Sequence, residues 1–480
     1  MLFNSLEYLV FLPLVAAVSW VLPRSVRWAW LLGASWYFYG SYGPRYLVLF
    51  IANTAVAYLT GLGLGRWESR GTRRLLAAFG VGTLLTTLFV FKYLGFLLRS
   101  FGALLELLGV HAAIPDVELT LPVGVSFYTF QAIAYIVDVY RGAYPVERHP
   151  GIFALYKAFF VQLVAGPIER PHRLLPQLRE PKPFDRERFV RGAALVLWGM
   201  AKKVVIADRL ALYVNEVYGR GRYRGLPVIV ATYLFAFQIY CDFSGYSDIA
   251  LGSARILGYD LMQNFDRPYL SRSVREFWTR WHISLSTWFR DYVYIPLGGN
   301  RVSPRRTALN ISIVFLVSGL WHGAAWTFVA WGALHGLYML VGMWTEGFRK
   351  RVAERVGLTR VPRLHALIQC FVVFHLVTFA WVFFRAPGFR EAWRLLQNAT
   401  KIEWSWSALA VKGVNRYELA IGVVGVALMT VLHLWQRGAN TADFVQTRSR
   451  PVRWALYYAM GLAIMLFGQF NLTEFIYFRF

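Results

Sequence analysis

The stretch from Thr307 to Thr345 constrains the fold of this chain most, because its 39 residues include no Asp, Glu, Lys or Arg. A single helix of this length would be roughly 58 Å long, whereas the hydrocarbon core of a bilayer is about 30 Å thick. We therefore predict two membrane spans joined by a turn, or one span followed by a re-entrant segment. His322, fifteen residues after Thr307, would lie deep in the membrane, where an ionisable side chain is costly and usually functional.

The whole chain has the composition of a multi-pass membrane protein. Of its 480 residues, 57% are hydrophobic and only 16% are charged. Apolar runs of spanning or near-spanning length recur along it, which predicts an all-α integral membrane bundle of roughly eleven to thirteen transmembrane helices. These runs are 8–23, 28–44, 46–65, 75–91, 119–137, 225–241, 307–345, 364–384, 419–436 and 454–473.

The net charge of +25 is best explained by basic loops on the cytoplasmic face, held against anionic lipid. The Lys and Arg residues are spread over many loops without a nucleic-acid-binding motif, so we expect no nucleic-acid partner. Cys241 and Cys370 both lie in apolar runs, and neither a disulfide framework nor a metal site is expected. No Lys or Arg precedes Arg24, so we expect residues 8–23 to be a retained first span and not a cleaved signal peptide.

We predict a single integral membrane domain over residues 1–480. Residues 1–118 are expected to hold four spans, residues 119–345 the core, and residues 346–480 three further spans. Within the core, residues 242–306 form the longest polar insertion, which is also rich in aromatic residues. That mixture predicts short helices lying in or re-entering the cytoplasmic interface.

Segment 151–168 conflicts with a simple count of spans. It is apolar enough to cross, but residues 169–191 after it carry seven Lys or Arg residues, and a crossing would place them outside the cytoplasm. We therefore expect the segment to dip into the membrane and return, or to lie along the interface. Irregular backbone at that depth needs a cavity or protein to satisfy its polar groups.

His322 is the principal candidate for chemistry. Imidazole has an ordinary pKa of about 6.5, so in an apolar site it can be neutral and accept a proton as a general base. Gly319 and Gly323 leave room for a ligand or a helix break, and Trp326 would share a face with His322 if the helix continued. His335 would face nearly the opposite side and is interpreted as structural. On this stretch alone, a histidine that hydrogen-bonds between closely packed helices is the simpler explanation of His322.

His282 is the second candidate and lies in a polar, tryptophan-rich segment. It could polarise an acyl carbonyl, orient His322 or bind an acceptor hydroxyl; an interfacial histidine among tryptophans is the alternative. The chain contains no Gly-x-Ser-x-Gly, no Walker A lysine motif and no His-Glu-x-x-His. Serine-hydrolase, ATPase and metalloprotease chemistry is therefore not indicated.

Other polar residues are weaker candidates for substrate binding. Arg280, Arg290 and Arg301 could bind donor phosphates, although cytoplasmic anchoring is the simpler explanation of these residues. Asp242 and Asp248 are expected to cap the start of a helix or to hydrogen-bond a catalytic group. The candidate substrate-binding residues are Trp278, Arg280, Trp281, Ser284, Trp288, Trp321, Trp326, Asp242 and Ser244.

Several of these segments together resemble the membrane-bound O-acyltransferase (MBOAT) family, and most closely its bacterial alginate O-acetylation branch. The matching segments are Phe277–Ser286, Tyr294–Arg301 and Gly319–Trp326, with Val164–Ile168 and Phe243–Asp248 upstream. The resemblance covers residues 120–345, and the hydropathy on both sides is compatible with it.

The resemblance implies a helical bundle around a central funnel that opens towards the cytoplasm. His322 matches the essential histidine of the family and His282 its second conserved polar position. Acetyl-CoA is implied as the thioester co-substrate, with no tightly bound cofactor. Transfer is expected towards hydroxyls of an extracytoplasmic, alginate-like polysaccharide, directly or through an SGNH-type partner protein, in the bacterial inner membrane. The run Pro296–Arg301 favours this branch over teichoic-acid D-alanylation.

Two other functions remain open from the residues alone. A transporter or channel for an acyl carrier or lipid would also have broken helices and a polar group near the midplane. A scaffold that holds secreted enzymes at the membrane is the third possibility. The pairing of His282 with His322 among tryptophans, without an array of acidic residues, favours the acyltransferase.

Overall fold

A computed structural model describes residues 1–117, 119–163, 166–401, 409–436, 441–470 and 475–476, and over these ranges the chain is helical and contains no strand. This confirms the predicted all-α fold class. The chain divides into two compact units. The N-terminal unit combines Met1–Ala193 with Ala250–Met262, and the C-terminal unit combines Ala194–Ile249 with Gln263–Arg479. The single domain over 1–480 stays a prediction.

Most of the helices in the described part of the chain follow one another with short connections. They are α1 (Leu6–Val21), α2 (Arg24–Gly40), α3 (Pro44–Arg66), α4 (Arg70–Leu88), α5 (Leu94–Leu107), α6 (Val125–Tyr140), α7 (Pro150–Ala158), α8 (Phe160–Leu163), α9 (Pro171–Arg179), α10 (Arg186–Met200), α11 (Asp208–Arg220), α12 (Leu226–Ile256), α13 (Val274–Arg280), α14 (Ile283–Phe289), α15 (Pro304–His322), α16 (Trp326–Trp344), α17 (Glu346–Arg355), α18 (Pro362–Arg385), α19 (Phe389–Thr400), α20 (Arg416–Trp435), α21 (Thr441–Gln446) and α22 (Arg450–Phe467). Wider π-helical turns join α4 to α5, α10 to α11, and α14 to the loop before α15.

Six helical segments in the described part of the chain are long and apolar enough to cross a membrane. A multi-pass membrane protein is therefore confirmed, and whether the shorter or more polar helices also cross stays a prediction. The six segments are Pro44–Arg66, Arg70–Leu107, Leu226–Ile256, Trp326–Trp344, Pro362–Arg385 and Arg416–Trp435.

The structure breaks segment 151–168 into short helices. α7 has nine residues, about 14 Å of helix, and ends before Phe159, whose backbone φ of −50° and ψ of 109° is not helical. α8 adds only four residues. Neither helix is long enough to cross a core of about 30 Å, as expected for a segment that does not span. Val164 and Ala165, part of the upstream matching segment, lie outside the described residues.

Residues 307–345 form a helical hairpin, so the predicted turn is present. Of its two helices only α16 is among the six candidate spans, and whether α15 also crosses the membrane stays a prediction. α15 and α16 have 19 residues each, about 29 Å of helix, and Gly323, Ala324 and Ala325 connect them. The helices approach closely at Gly319, because a Cβ there would lie 2.3 Å from the backbone oxygen of Phe328. The glycine therefore provides close packing between the two helices.

Gly319→Ala is expected to destabilise this hairpin. The added methyl would collide with backbone, which cannot move aside as a side chain can, and such overpacking costs about 1–3 kcal/mol. Gly342→Ala in α16 is the matched control, because no atom lies within 4 Å of its added Cβ. Thermal unfolding in detergent should show a lower midpoint for Gly319→Ala only, and equal midpoints for the two variants would contradict the close approach.

The boundaries of the polar insertion need a correction. The 242–306 segment was predicted to follow a span that ended at residue 241, but α12 continues without a break to Ile256. Asp242, Ser244 and Asp248 are therefore interior residues of a 31-residue helix. Lys202 pairs with Asp248 and Lys203 pairs with Asp242. These ion pairs compensate the charges of the two carboxylates in the middle of the helix.

Candidate active site

His282 lies between two short helices of the C-terminal unit. α13 ends just before Trp281, and α14 begins directly after His282. The backbone of His282 has a φ of 44° and a ψ of 55°, a left-handed conformation that is uncommon for residues other than glycine. Its carbonyl accepts hydrogen bonds from the amides of Leu285 (3.0 Å) and Ser286 (2.9 Å). The left-handed residue thus starts α14.

His322 is the last residue of α15, and its imidazole is only 3% exposed. Aromatic rings surround it, with centroids at 4.9 Å for Trp331, 5.0 Å for Trp321 and 5.4 Å for Phe384. The helix ends here because the following Gly323 adopts an extended conformation. The sequence therefore places the imidazole at the turn of a hairpin, against rings from two further helices.

The two predicted catalytic histidines lie side by side although forty residues separate them in sequence. Their ring centroids are 6.3 Å apart and their planes are inclined by 56°. The ring centroid of His282 lies 5.8 Å from that of Trp321 and 4.6 Å from that of Phe243, whose plane is nearly perpendicular to it. Two imidazoles enclosed by apolar rings form a site that excludes water and can transfer protons.

Burial of His282 lowers the pKa of its imidazole to about 3. The cause is desolvation, because the cation would lose its hydration in this aromatic surrounding. The ring is therefore neutral at physiological pH. A neutral imidazole carries one N–H donor and one acceptor nitrogen, so it can donate a hydrogen bond without carrying charge.

His282→Asn is expected to make thermal stability less dependent on pH. Unfolded histidine binds a proton near pH 6.5, whereas native His282 stays neutral down to about pH 3. The unfolded state thus binds more protons between these values, and stability falls as the pH falls from about 6.5 to about 3. Asn tolerates the left-handed backbone and binds no proton there. Unfolding midpoints measured between about pH 7 and about pH 5 should therefore decline less for His282→Asn than for the wild-type chain.

His111→Asn, in an exposed loop of the N-terminal unit, is the control for this experiment. The pH dependence of its unfolding midpoint is expected to equal that of the wild-type chain, because this substitution leaves every buried imidazole in place. Identical slopes for His282→Asn and the wild-type chain would contradict the assignment of the acid sensitivity to His282.

Three of the predicted tryptophans join the aromatic surroundings of the histidines. Trp321 contacts both imidazoles. Trp278 lies 5.7 Å from Trp331, which in turn contacts His322. Trp281 is fully buried and lies 5.1 Å from Trp381 of α18. These rings form one continuous aromatic wall in the C-terminal unit.

Trp326 does not share a helix face with His322, and its role in substrate binding stays a prediction. The shared face required a helix that continued past His322, but α15 ends there and Trp326 begins α16 with its side chain 55% exposed. Trp331, one turn further on, takes the position against His322 that was expected of Trp326. Trp288 is buried against Phe289 (5.6 Å) and Tyr292 (5.1 Å).

Two polar candidates are engaged locally. Arg280 forms an ion pair with Glu276 (2.7 Å) one turn earlier in α13. Ser284 is fully buried, and its hydroxyl donates a hydrogen bond to Oδ1 of Asn264 at 2.7 Å. Both contacts are within the protein and hold the segment that carries His282; whether either residue also contacts substrate stays a prediction.

Asp242 and Ser244 belong to a buried network of ion pairs and hydrogen bonds that was not predicted from the sequence. Lys203 donates to Asp242 at 2.6 Å and to Asp208 at 2.8 Å. Lys202 donates to Ser244 at 2.8 Å. The prediction that Asp242 and Asp248 cap a helix is wrong, because they pair with these lysines from the interior of α12. The available signal was two adjacent lysines between the uncharged stretches 192–201 and 204–207.

His335 is fully buried in α16, and within the described residues neither of its ring nitrogens has a hydrogen-bond partner. Trp331 lies between the two α15–α16 histidines, with its ring centroid 4.9 Å from both His322 and His335. The expectation that His335 would face away from His322 required a continuous helix and does not apply to the hairpin.

Comparison with known proteins decides the family. The family model described as the membrane-bound O-acyltransferase family matches residues 147–386, which include both histidines. The chain belongs to the membrane-bound O-acyltransferase family. This confirms the resemblance seen in the motifs and identifies the protein as an O-acyltransferase, which sets aside the transporter and scaffold alternatives.

Curated relatives of this O-acyltransferase cover most of its length. A probable alginate O-acetylase AlgI from Azotobacter vinelandii is 35% identical over 440 residues, covering 91% of this chain and 85% of that protein. A probable alginate O-acetylase AlgI from Pseudomonas putida is 33% identical over 499 residues and covers both chains fully. A peptidoglycan O-acetyltransferase from Helicobacter pylori is 32% identical over 398 residues, covering 77% of this chain and 73% of that protein.

Proposed function

We propose that this O-acyltransferase lies in the bacterial inner membrane and moves an acetyl group from a cytoplasmic thioester, acetyl-CoA, towards hydroxyls of an extracytoplasmic polysaccharide. The observation that carries the proposal is the pair of buried imidazoles, His282 and His322, with ring centroids 6.3 Å apart inside aromatic walls. Relatives named for O-acetylation of alginate and of peptidoglycan support both the acetyl group and the glycan acceptor.

In the proposed reaction, His322 acts as the general base. A ring nitrogen of neutral His322 takes the proton of the acceptor hydroxyl while the hydroxyl oxygen attacks the acetyl carbonyl carbon. The carbon–sulfur bond then breaks, and the proton passes from the imidazolium to the leaving thiolate, which leaves as the free thiol of coenzyme A. No oxidant or metal is needed, and His322 returns to its starting state. General-base help of this kind contributes about 10²–10⁴-fold to the rate.

His282 would stabilise the oxyanion that forms on the acetyl carbonyl. As a neutral ring it offers one N–H donor without a charged group in the apolar site. Such a donor, fixed before the reaction begins, is worth about 10²–10³-fold in known acyl-transfer enzymes. The aromatic rings would exclude water and so limit hydrolysis of the thioester.

The donor would enter from the cytoplasm through a funnel lined by the 242–306 segment, with its pantetheine arm reaching His322. The acceptor is an alginate-like polysaccharide, or the hydroxyl of an SGNH-type partner protein that passes the acetyl group on. We propose no tightly bound cofactor. Membrane lipids are the remaining proposed partner and would contact the outer faces of the spanning helices.

Acetyl transfer from labelled acetyl-CoA in detergent tests this function. The purified chain is incubated with donor and with alginate oligosaccharide, with and without the candidate SGNH protein. The expected result is label on the glycan or on the partner hydroxyl, and loss of that label with His322→Ala. Label that stays on intact donor in every reaction would contradict the proposal, and label found only as free acetate would contradict the acceptor class.

A further inference from the structure

The left-handed backbone conformation of His282 must be stabilised by contacts with neighbouring residues. A residue with a side chain at a φ of 44° relaxes to a negative φ unless neighbouring contacts prevent it. Among the described residues, only Arg267 and His282 combine a side chain with a positive φ. The position of the His282 ring therefore depends on whatever fixes the residues that follow it.

Asn264 fixes these residues through both its backbone and its side chain. Its carbonyl accepts the amide hydrogen of Ile283 at 2.9 Å. Its side-chain Oδ1 accepts the amide of Ser284 at 3.3 Å and the Ser284 hydroxyl at 2.7 Å. The two residues directly after His282 are thus both bonded to one asparagine.

The amide of Asn264 is itself held in orientation by α12. Its Nδ2 donates to the hydroxyl of Ser247 at 3.3 Å, and the residue is only 1% exposed. An amide bonded at both its oxygen and its nitrogen cannot turn over without losing contacts on both sides. Ser247, Asn264 and Ser284 form a chain of hydrogen bonds, which we call the Asn264 clamp, that runs from α12 to the start of α14.

We infer that Asn264 is a positioning residue for the acyl-transfer reaction, and that the Asn264 clamp keeps the His282 ring beside His322 by holding residue 282 in its left-handed conformation. This inference rests on the proposed function, in which His282 contacts the reacting carbonyl. The clamp acts only through His282, so its loss should slow the chemical step and leave donor binding intact.

Asn264→Ala is the first test. It removes both side-chain bonds to Ser284 and the bond to Ser247, so the backbone can relax and move the ring. The expected result is a kcat lower by about 10- to 100-fold, since a misplacement of about 1 Å can cost this much. The KM for acetyl-CoA should stay within about twofold of wild type. Rates are divided by the amount of folded, monodisperse protein.

Asn53→Ala is the matched control, since it truncates another buried asparagine, in α3 of the N-terminal unit. It is expected to change the unfolding midpoint while kcat per folded protein stays within about twofold of wild type. If Asn53→Ala and Asn264→Ala lower kcat equally, Asn264 is a general packing residue and the inference is wrong.

Asn264→Asp gives a conservative test through its pH profile. The protonated acid has the shape of the amide, can accept from Ser284 and can donate to Ser247, and burial favours this protonated form. The ratio of variant to wild-type kcat should therefore rise as the pH is lowered from about 8 to about 6, or lie near one over the whole range. A ratio that falls, or that stays as low as that of Asn264→Ala throughout this range, would contradict the clamp.

A double-mutant cycle with His282→Ala separates a role through His282 from an independent one. If Asn264 acts through His282, Asn264→Ala should cause no further loss of kcat in the His282→Ala background. Multiplied losses would overturn the inference and leave the proposed function standing. Wild-type activity of His282→Ala alone would instead overturn the proposed role of His282, so the two failures can be told apart.

Discussion

Replacing His322 with alanine or glutamine should lower acetyl transfer by about 10²–10⁴-fold, because either change removes the only group assigned as the proton acceptor. Glutamine keeps a polar side chain of similar length but has no basic nitrogen. The measurement is transfer of label from acetyl-CoA, with protein amounts and unfolding midpoints determined in parallel.

His375→Gln is the control for this change. His375 lies on α18, and its ring nitrogen is 2.7 Å from the carbonyl oxygen of Phe371 one turn earlier in the same helix. The same replacement at His375 is expected to leave transfer at the wild-type level. Unchanged O-acetylation by both His322 variants, with normal protein amounts, would remove His322 from the mechanism.

Lys203→Met should cause a large loss of stability. The Lys203 ammonium contacts two buried carboxylates, Asp208 and Asp242, and is itself 1% exposed. Methionine fills a similar volume, but it leaves two buried charges without their partner. Breaking a buried ion pair from one side costs about 3–5 kcal/mol, and the unfolding midpoint in detergent should fall accordingly.

Lys350→Met is the matched control, because the Lys350–Glu346 pair lies on the exposed face of α17. Water and salt screen such a pair, and its removal should leave the midpoint unchanged. Adding Asp242→Asn to Lys203→Met should recover part of the lost stability, since one uncompensated charge is then removed. Equal midpoints for the Lys203 and Lys350 variants would contradict the importance of the buried network.

The membrane class and the hairpin could be predicted from sequence because they depend on local quantities. The length of the uncharged run between Thr307 and Thr345 exceeds one bilayer crossing, so a turn was required. The sequence did not specify the position of the turn, so Trp326 was expected on the face of His322 only if the helix continued past it. In the structure α15 ends at His322, and Trp331 of α16 contacts the imidazole.

The pairing of His282 with His322 could be proposed from their residue types, but its geometry could not. The left-handed backbone of His282 and the role of Asn264 depend on hydrogen bonds between segments distant in sequence. Asp242 was likewise interpreted as a helix cap, because its partner Lys203 lies 39 residues away. Contacts of this kind depend on tertiary packing, which a sequence pattern does not specify.

The wide π-helical turn at Ala201–Ala207 has a consequence for how this chain tolerates changes in length. Consecutive residues of an α-helix point about 100° apart, yet both Lys202 and Lys203 reach α12. Deleting one residue here would restore ordinary helical spacing and rotate everything downstream by that same angle. We expect the protein to fold after deletion of a single residue from a surface loop, but not after deletion of a single residue from this helix.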